Sequence, residues 1–451
     1  MTQLSQLAKM GLFDARVPRY TSYPTAPHFS PEVGPGTFGD WIADLPEGAE
    51  LSLYVHIPFC RRLCWFCACR TQGTASGAPV AEYLEQVKRE LALLAERLPP
   101  RVTVSHLHWG GGTPTLLDPD MVRDLSDSIF AAVPPAPELE FSVEIDPSEI
   151  DAPRLDALAA AGMTRASIGV QDFDPDIQKI IGREQSFEVT EAAVNGIRAR
   201  GIDSLNTDIL YGLPDQSQAR ITDSVQKLLS LNPDRVALYG YAHVPWMARR
   251  QTLIPSDRLP TPEERLRLFD TARRLFLWDG YDEVGTDHFA RHGDAMAVAA
   301  RDGTLRRNFQ GYTVDSGVAL IGLGASSISR LPQGYAQNRS GTGDYAKAVQ
   351  AGQFATARGH AFAGDDLLRG RLIEQLMCRF ATDRVELQRA FGAQPDVLDR
   401  WFAGAEAEFA PFVTRVPGGI AIPREGRPLA RMIARHFDAY ALDKAGHSPA
   451  I

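Results

Sequence analysis

The sequence predicts an α/β protein built on a parallel sheet and followed by a separate, mostly helical C-terminal region. Three observations carry this prediction. Strand-like runs alternate with amphipathic helical runs along the first two-thirds of the chain. Successive strands start 26–53 residues apart, long enough for right-handed helical crossovers. The residues with evident chemistry follow the ends of the strands, where parallel α/β sheets hold their ligands.

The strand candidates are LSLYVHIP (51–58), VSHLHWGG (104–111), LEFSVEID (139–146), RASIGVQD (165–172), SLNTDILYGLP (204–214) and RVALYGYAHVP (235–245). Each is rich in β-branched and aromatic residues. Between the first two, Leu84, Val87, Leu91, Leu94 and Leu98 recur at spacings of three and four, so they share one helix face. MVRDLSDSIFAAV, EVTEAAVNGIRARG and ITDSVQKLLSL read in the same way, and Gly162 and Gly201 stand where helix C-caps are expected. From about position 363 the pattern changes. LLRGRLIEQLMCRFA and VELQRAFG are helical, FVTRVPGGIAIP reads as a hairpin turning at Gly418–Gly419, and RPLARMIARHFDAYAL is a last helix. The first thirty-odd residues, with RYTSYPTAPHFSPEVGPG, read as irregular.

Composition narrows the function classes. A chain of 451 residues can bury a large core without covalent staples, and 44% hydrophobic with 23% charged residues excludes intrinsic disorder. The net charge of −9 disfavours nucleic acid and anionic membranes, so an acidic substrate needs a local basic pocket. No apolar run reaches the roughly 18 residues of a membrane span, and the N-terminus lacks a signal-peptide core. The expectation is a soluble, cytoplasmic protein in a thiol-reducing compartment. No long heptad or obvious apolar patch argues for assembly, so a monomer is expected.

Four of the five cysteines fall within LYVHIPFCRRLCWFCACR. Cys60, Cys64 and Cys67 form C-x3-C-x2-C, and Cys69 adds a thiol two residues later; Cys378, in LIEQLMCRF, reads as helix core. Zinc is one reading, but zinc sites usually pair two C-x-x-C knuckles, and there is no second knuckle. A compact loop can place three thiolates on three irons of a cubane cluster and leave the fourth iron open to a cofactor. The glycine turn Gly110–Gly111–Gly112, followed by Thr113, closes the second strand and allows close approach of backbone to a ligand. His106 and His108 alternate on one strand face without a third metal ligand, which favours packing.

The cysteine motif, with an aromatic (Phe66) before its last cysteine, resembles the signature of the radical S-adenosylmethionine (SAM) superfamily. Further motifs narrow the resemblance: PRYTSYPTA (18–26), HWGGGTPT (108–115), GVQDF (169–173), REQ (183–185), DILYGLP (208–214), DHFAR (287–291), RNFQGYT (307–313) and YAQN (335–338). Over nearly its whole length the chain is similar to the oxygen-independent coproporphyrinogen III dehydrogenases. That resemblance implies a (β/α)6-type partial barrel over residues 36–362, an N-terminal arm over the active site (1–35) and a C-terminal helical domain (363–451). It implies one [4Fe–4S] cluster held by Cys60, Cys64 and Cys67, and two SAM molecules. The first SAM would contact Tyr54, Gly111, Glu144 and Ile328; the second would lie among Phe66, Gly112, Thr113, Gln171, Arg183, Asp208 and Ala242. Cys69 and the RYTSYP arm set this chain apart from related haem-trafficking proteins, which generally lack both, and Cys69 is expected to stay off the iron.

The reaction so implied is oxidative decarboxylation of two propionates of coproporphyrinogen III to vinyl groups, giving protoporphyrinogen IX. The cluster would be reduced by an electron donor such as a flavodoxin or ferredoxin. Gln310 is a candidate for positioning near the site, and Arg19, Arg183, Arg306 and Arg307 are candidate partners for propionates or cofactor. Arg70 reads as a solvated charge. Two rivals use the same motifs: a haem-binding chaperone and a radical SAM methyltransferase acting on haem.

Overall fold

The structure is a computed structural model that describes residues 3–440 and residue 450. Six parallel strands run in chain order across the sheet: β1 (Glu50–Ile57), β2 (Thr103–Gly111), β3 (Pro135–Ile145), β4 (Arg165–Gln171), β5 (Ser204–Tyr211) and β6 (Arg235–Gly240). Helices Ala78–Arg97, Pro119–Ala132, Ala152–Ala160, Phe187–Arg198 and Gln218–Ser230 return the chain between them. The six strands form a parallel partial barrel, and the six strand candidates all lie in it.

The sheet is wider than the sequence pattern suggested, with twelve strands. Ala319–Leu323 pairs in parallel with the free side of β1, and three antiparallel strands follow it: Ile328–Leu331, Gly334–Asn338 and Thr356–Ala361. On the far side, His288–Arg291 and Tyr281–Val284 pair antiparallel beyond β6. These additions are only four to six residues long, too short for a clear period-2 signal.

Strand alternation decides what the inside of the barrel is made of. In β4, Ala166, Ile168 and Val170 are buried against helices, while Arg165, Ser167, Gly169 and Gln171 are half-buried on the inner face. The inner face of β5 carries Asn206 and Asp208 in the same way, with Gly169 in register with Asp208. The helices bury Leu84, Val87, Leu91 and Leu94 on the outer face, together with Leu51, Leu53, Val55 and Ile57 of β1. The barrel is therefore apolar outside and polar inside.

A second core joins the two ends of the chain. Leu7, Leu12, Val17, Tyr20 and Tyr23 pack with Leu372, Leu376, Phe402, Phe409 and Ile433. The arm is not wholly irregular: Gln3–Lys9 is helical. In the C-terminal region, helix Pro395–Phe409 lies in a stretch where the sequence pattern gave no helix. The hairpin strands are Thr414–Val416 and Gly419–Ala421, with Val416 opposite Gly419. The turn is thus Pro417–Gly418, one residue earlier than expected; proline's fixed φ suits the first turn position. The last helix runs over Ala430–His436, and the expected residues 441–442 lie outside the described residues. Cys378 is buried in helix Asp366–Arg379, as its apolar neighbours indicated.

One buried carboxyl ties this architecture to the strand ends. Glu90, 1% exposed, accepts hydrogen bonds from the Gly324 N–H (2.7 Å), the Asn338 amide (2.6 Å) and the Tyr345 hydroxyl (2.7 Å). Tyr83, two helical turns earlier on the same helix, donates to the His56 carbonyl and accepts from the Ala325 N–H. Burial pushes the Glu90 carboxyl up to about 7, against its three hydrogen bonds. The folded state then holds a proton that the unfolded chain releases, so this contribution to stability is present at pH 4 and lost as pH rises towards 7. Urea unfolding of Glu90→Gln should lose that pH dependence, whose slope is at most about 1.4 kcal/mol per pH unit. An unchanged slope would place the proton elsewhere.

Candidate active site

The cysteine loop leaves β1 at Pro58 and is fastened from four directions. The Gly112 N–H donates to the Ile57 carbonyl and the Thr113 N–H to the Phe59 carbonyl, both at 2.8 Å. The Trp65 N–H donates to the Ile181 carbonyl (2.9 Å). The Gln251 amide donates to the carbonyls of Phe66 (2.7 Å) and Ala242 (3.1 Å), tying the loop to the segment after β6. Arg250 reaches the Cys69 carbonyl and the Thr71 hydroxyl. Gln251 and Arg250 carried no motif signal, because the loop carbonyls they hold, those of Phe66 and Cys69, lie more than 180 residues away in the chain.

The glycine turn has a structural reason for each of its two central residues. Gly111 has φ +115°, and a Cβ there would stand 2.5 Å from the His56 ring. A Cβ on Gly112 would lie 2.4 Å from the Phe59 carbonyl oxygen. The turn is glycine because the cysteine loop and His56 are packed onto it, whatever else approaches it. The Gly111 N–H donates to Glu144 Oε2 (3.0 Å), and His108 Nε2 lies 3.3 Å from Oε1. Although burial opposes ionisation, these bonds hold the Glu144 carboxyl below the usual range.

His56 was not singled out by the sequence, yet it sits at the centre of this turn. Its Nε2 lies 3.2 Å from the Arg70 carbonyl, which can only accept, so Nδ1 accepts from the Tyr54 hydroxyl at 2.9 Å. Burial lowers its pKa and keeps the ring neutral. Tyr54 also stacks on His108, with centroids 5.6 Å apart. His106 is 3.3 Å from Asp315. The two strand histidines are thus hydrogen-bonded groups of the polar barrel interior rather than packing residues. The Arg70 side chain is exposed, as expected.

All four cysteines of the loop are free thiols. Cys69 donates its N–H to the Cys67 sulfur (3.4 Å), and its side chain also bonds there; these bonds push the Cys67 thiol down to about 6. Burial raises the Cys60 thiol, opposed by bonds from Thr113 and Thr71. The Arg183 guanidinium stands 3.6 Å from the Cys64 sulfur and bonds the Gly169 carbonyl and Asp146. Among the described residues, no three His, Cys, Asp or Glu side chains converge on one metal ion. A cubane offers each thiol its own iron, so three thiols on one short loop suit an iron–sulfur cluster.

Beside the loop opens a cavity of about 1170 Å3, lined by Phe66, Cys67, Ala68 and Cys69, by the barrel residues Gln171, Asp208 and Ala242, and by Gln310. The arm contributes Val17, Pro18, Arg19 and Thr21, and the C-terminal region contributes Met377, Arg427 and Arg431. The volume exceeds the roughly 300–1,000 Å3 of drug-sized sites. Gln171 holds φ +70°, unusual for a side-chain-bearing residue, and the next residue fixes it: buried Asp172 accepts from Asp174 N–H, Ser224 and Gln216. Asp208 also borders a smaller polar cavity of about 270 Å3 inside the barrel, with Glu144, His108 and Gln310. Burial pushes the Asp208 carboxyl up to about 6, against a bond from Asn206.

The remaining candidates do not line the large cavity. Tyr54 and Glu144 lie with Gly111 at the inner strand ends, and Tyr54 pairs in register with Gly322, where a Cβ would stand 2.8 Å from the Ile328 carbonyl oxygen. Gly112, Thr113 and Arg183 contact the cysteine loop itself. Of the candidate arginines, Arg19 and Arg307 line the cavity, whereas Arg306 pairs with Glu374 and Arg183 with Asp146.

The class of protein follows from the fold and from comparison. Residues 54–228 match the model of the Radical SAM superfamily. The solved structure of coproporphyrinogen III oxidase from Escherichia coli, described as a radical SAM enzyme, superposes with a TM-score of 0.90 at 36% identity, covering 95% of this chain and all of that one. The oxygen-independent coproporphyrinogen III oxidase of Paracoccus denitrificans is 61% identical over 451 residues, the full length of both chains. That of Cereibacter sphaeroides is 58% identical over 98% of each chain. The chain belongs to the family of oxygen-independent coproporphyrinogen III oxidases.

Two pairs of substitutions, each a test with its control, probe the loop's docking and its cluster ligation. Gly112→Ala pushes against backbone, so iron per chain after anaerobic reconstitution should fall to less than about half of the wild-type value, whereas Gly36→Ala, with open space around it, should load normally. Cys64→Ala should lose the cluster absorbance that Cys378→Ala retains. Full iron content in Gly112→Ala would show that the loop does not need this docking.

Proposed function

We propose that this protein converts coproporphyrinogen III to protoporphyrinogen IX by oxidative decarboxylation of two propionate side chains, in oxygen-independent haem biosynthesis. One observation carries the reading: in a chain matched end to end by such oxidases, the three-thiol loop borders a large cavity that arginines also line. A [4Fe–4S] cluster and two SAM molecules are the cofactors; when bound, they supply the 5′-deoxyadenosyl radical that removes a propionate β-hydrogen.

The chain's own part is to hold, orient and shield. Cys60, Cys64 and Cys67 hold the cluster, and Cys69 stays off the iron, hydrogen-bonded to Cys67. Tyr54, Gly111, Glu144 and Ile328 hold the first SAM. Phe66, Gly112, Thr113, Gln171, Arg183, Asp208 and Ala242 surround the second. The placement of Phe66, Gln171, Asp208 and Ala242 on the large cavity supports the second group; Gly112, Thr113 and Arg183 act there through the loop they support. Gln310, which borders both cavities, positions substrate. Loss of carbon dioxide and one electron completes each vinyl group, so a partner must take electrons away as well as deliver them. The donor is a flavodoxin or ferredoxin, and the protein works as a cytoplasmic monomer without nucleic acid. No helix of the described residues is long and apolar enough to cross a membrane.

The reconstituted protein, given coproporphyrinogen III, SAM and a reductant without oxygen, should release carbon dioxide and form the divinyl product. SAM cleavage without vinyl product would favour a methyltransferase, and stoichiometric haem binding without either would favour a chaperone. The second SAM site carries its own pH signature. A protonated Asp208 loses its charge, so SAM stoichiometry should fall from two towards one as pH drops through about 6. Asp208→Asn should bind one SAM at every pH; two tightly bound SAM molecules in that variant would remove Asp208 from the site.

A further inference from the structure

Two of the residues assigned to the second SAM lie on segments far apart in the chain. Phe66 belongs to the cysteine loop, next to Cys67, and Ala242 to the chain leaving β6. One side chain joins them. Gln251, on the short 3₁₀ helix Arg249–Leu253, donates from its amide nitrogen to the Phe66 carbonyl at 2.7 Å and to the Ala242 carbonyl at 3.1 Å. Its Oε1 accepts from the Val244 N–H at 2.6 Å. A primary amide has two N–H groups and one oxygen, so these three bonds engage all of its polar atoms. Gln251 borders the large cavity but is only 1% exposed, which leaves it little to offer a ligand directly.

The amide is fixed from behind. The Met247 and Ala248 N–H groups donate to the Val244 carbonyl, Gln251 N–H to Ala248, and Ile254 N–H to Gln251, so the segment is a compact turn. Ile254 is buried with Ile177, Ile181, Leu210, Leu213 and Tyr241, and Trp65 and Phe66 pack against that cluster. The start of the cysteine loop is held independently of Gln251: Thr113 N–H donates to Phe59, Thr74 N–H to Cys60, and Trp65 N–H to Ile181. Tyr54, Gly111 and Glu144 at the first SAM bond with His56 and with one another. Loss of the Gln251 amide therefore releases Phe66 from Ala242 and leaves the inner strand ends as they are.

We propose that Gln251 is a positioning residue for the second SAM, its amide fixing the separation of Phe66 and Ala242 and so the width of the site between the cysteine loop and the segment after β6. This rests on the second-SAM assignment above and adds the group that sets the shape of that site. Gln251 acts through two backbone carbonyls, and the first SAM does not depend on it.

The test counts SAM bound to anaerobically reconstituted protein by equilibrium dialysis. Gln251→Met keeps the length of the side chain and removes all three bonds. Gln251→Glu keeps an acceptor for Val244 and sets a carboxylate against the two carbonyls. Wild type should bind two SAM molecules. Both variants should keep wild-type iron content and the EPR change that SAM causes at the reduced cluster, which reports the first site. Their second SAM should bind roughly 10–100-fold more weakly, so that stoichiometry falls to one at concentrations that saturate wild type. If Gln251→Met fails to load iron, Gln251→Glu decides. A purely structural role predicts that iron and both SAM molecules are lost together in both variants, and that pattern overturns the proposal. Two tightly bound SAM molecules in an iron-loaded variant overturn it as well, and leave the second-SAM assignment standing. If wild type itself binds only one SAM, that assignment falls too.

Discussion

The contact between the glycine turn and the cysteine loop is the constraint on which the site depends. Parallel strands end in a row, and the loops that follow them compete for the same space at that edge of the sheet. Here the first loop lies down on the second: Gly112 and Thr113 donate to Ile57 and Phe59, and no side chain fits between them. The consequence is that three thiols, the Glu144 carboxylate and the His56 ring are positioned by backbone groups of β1 and β2, the rigid centre of the sheet. The neutral His56 extends the same arrangement, joining the Tyr54 hydroxyl to the carbonyl of Arg70 just past the cysteines. A site built on strand ends and braced by main-chain bonds keeps its geometry where long side chains would not.

Charge is distributed with the same economy. The chain is acidic overall, yet several arginines line the large cavity beside the cysteine loop. Acid residues are placed deeper, on the inner faces of β3 and β5, where Glu144 is bonded to a main-chain N–H and Asp208 to Asn206. Burial treats the two differently. Glu144 has a histidine and an N–H to offset desolvation, so its carboxyl falls below the ordinary range; Asp208 has one amide, so its carboxyl rises to about 6. Two carboxylates a few strands apart thereby acquire different proton affinities at one site.

These features differ in how far the sequence discloses them. The six strands β1–β6 were legible because they are runs rich in β-branched and aromatic residues separated by helical periods. The cysteine loop and glycine turn were legible because metal ligation and close packing restrict residue type at fixed spacing. The short strands from Tyr281 to Ala361 escaped, since runs of three to six residues do not display a period. Gln251, Arg250 and Glu90 escaped for another reason: they act through partners distant in the chain, and nothing local distinguishes them from ordinary helix or loop residues. The sequence named Arg306 and Arg307 alike as candidates; only the structure separates Arg306, paired with Glu374, from Arg307, which lines the large cavity.

The arm shows how folding itself closes the cavity. A lid that opens in each turnover must be held weakly, by contacts that can be broken at small cost. The arm is not held in that way. Leu7, Leu12, Val17, Tyr20 and Tyr23 are buried in the C-terminal core, and exposing them would cost on the order of 10 kcal/mol at about 1.5–3 kcal/mol each. That approaches the whole stability of a domain. The arm therefore folds as part of the C-terminal region and forms a fixed wall, which explains why residues from both ends of the chain line the same cavity. Access must come from elsewhere, and the segment after β6 offers it: Trp246 and Met247 line the cavity yet remain 54% and 69% exposed.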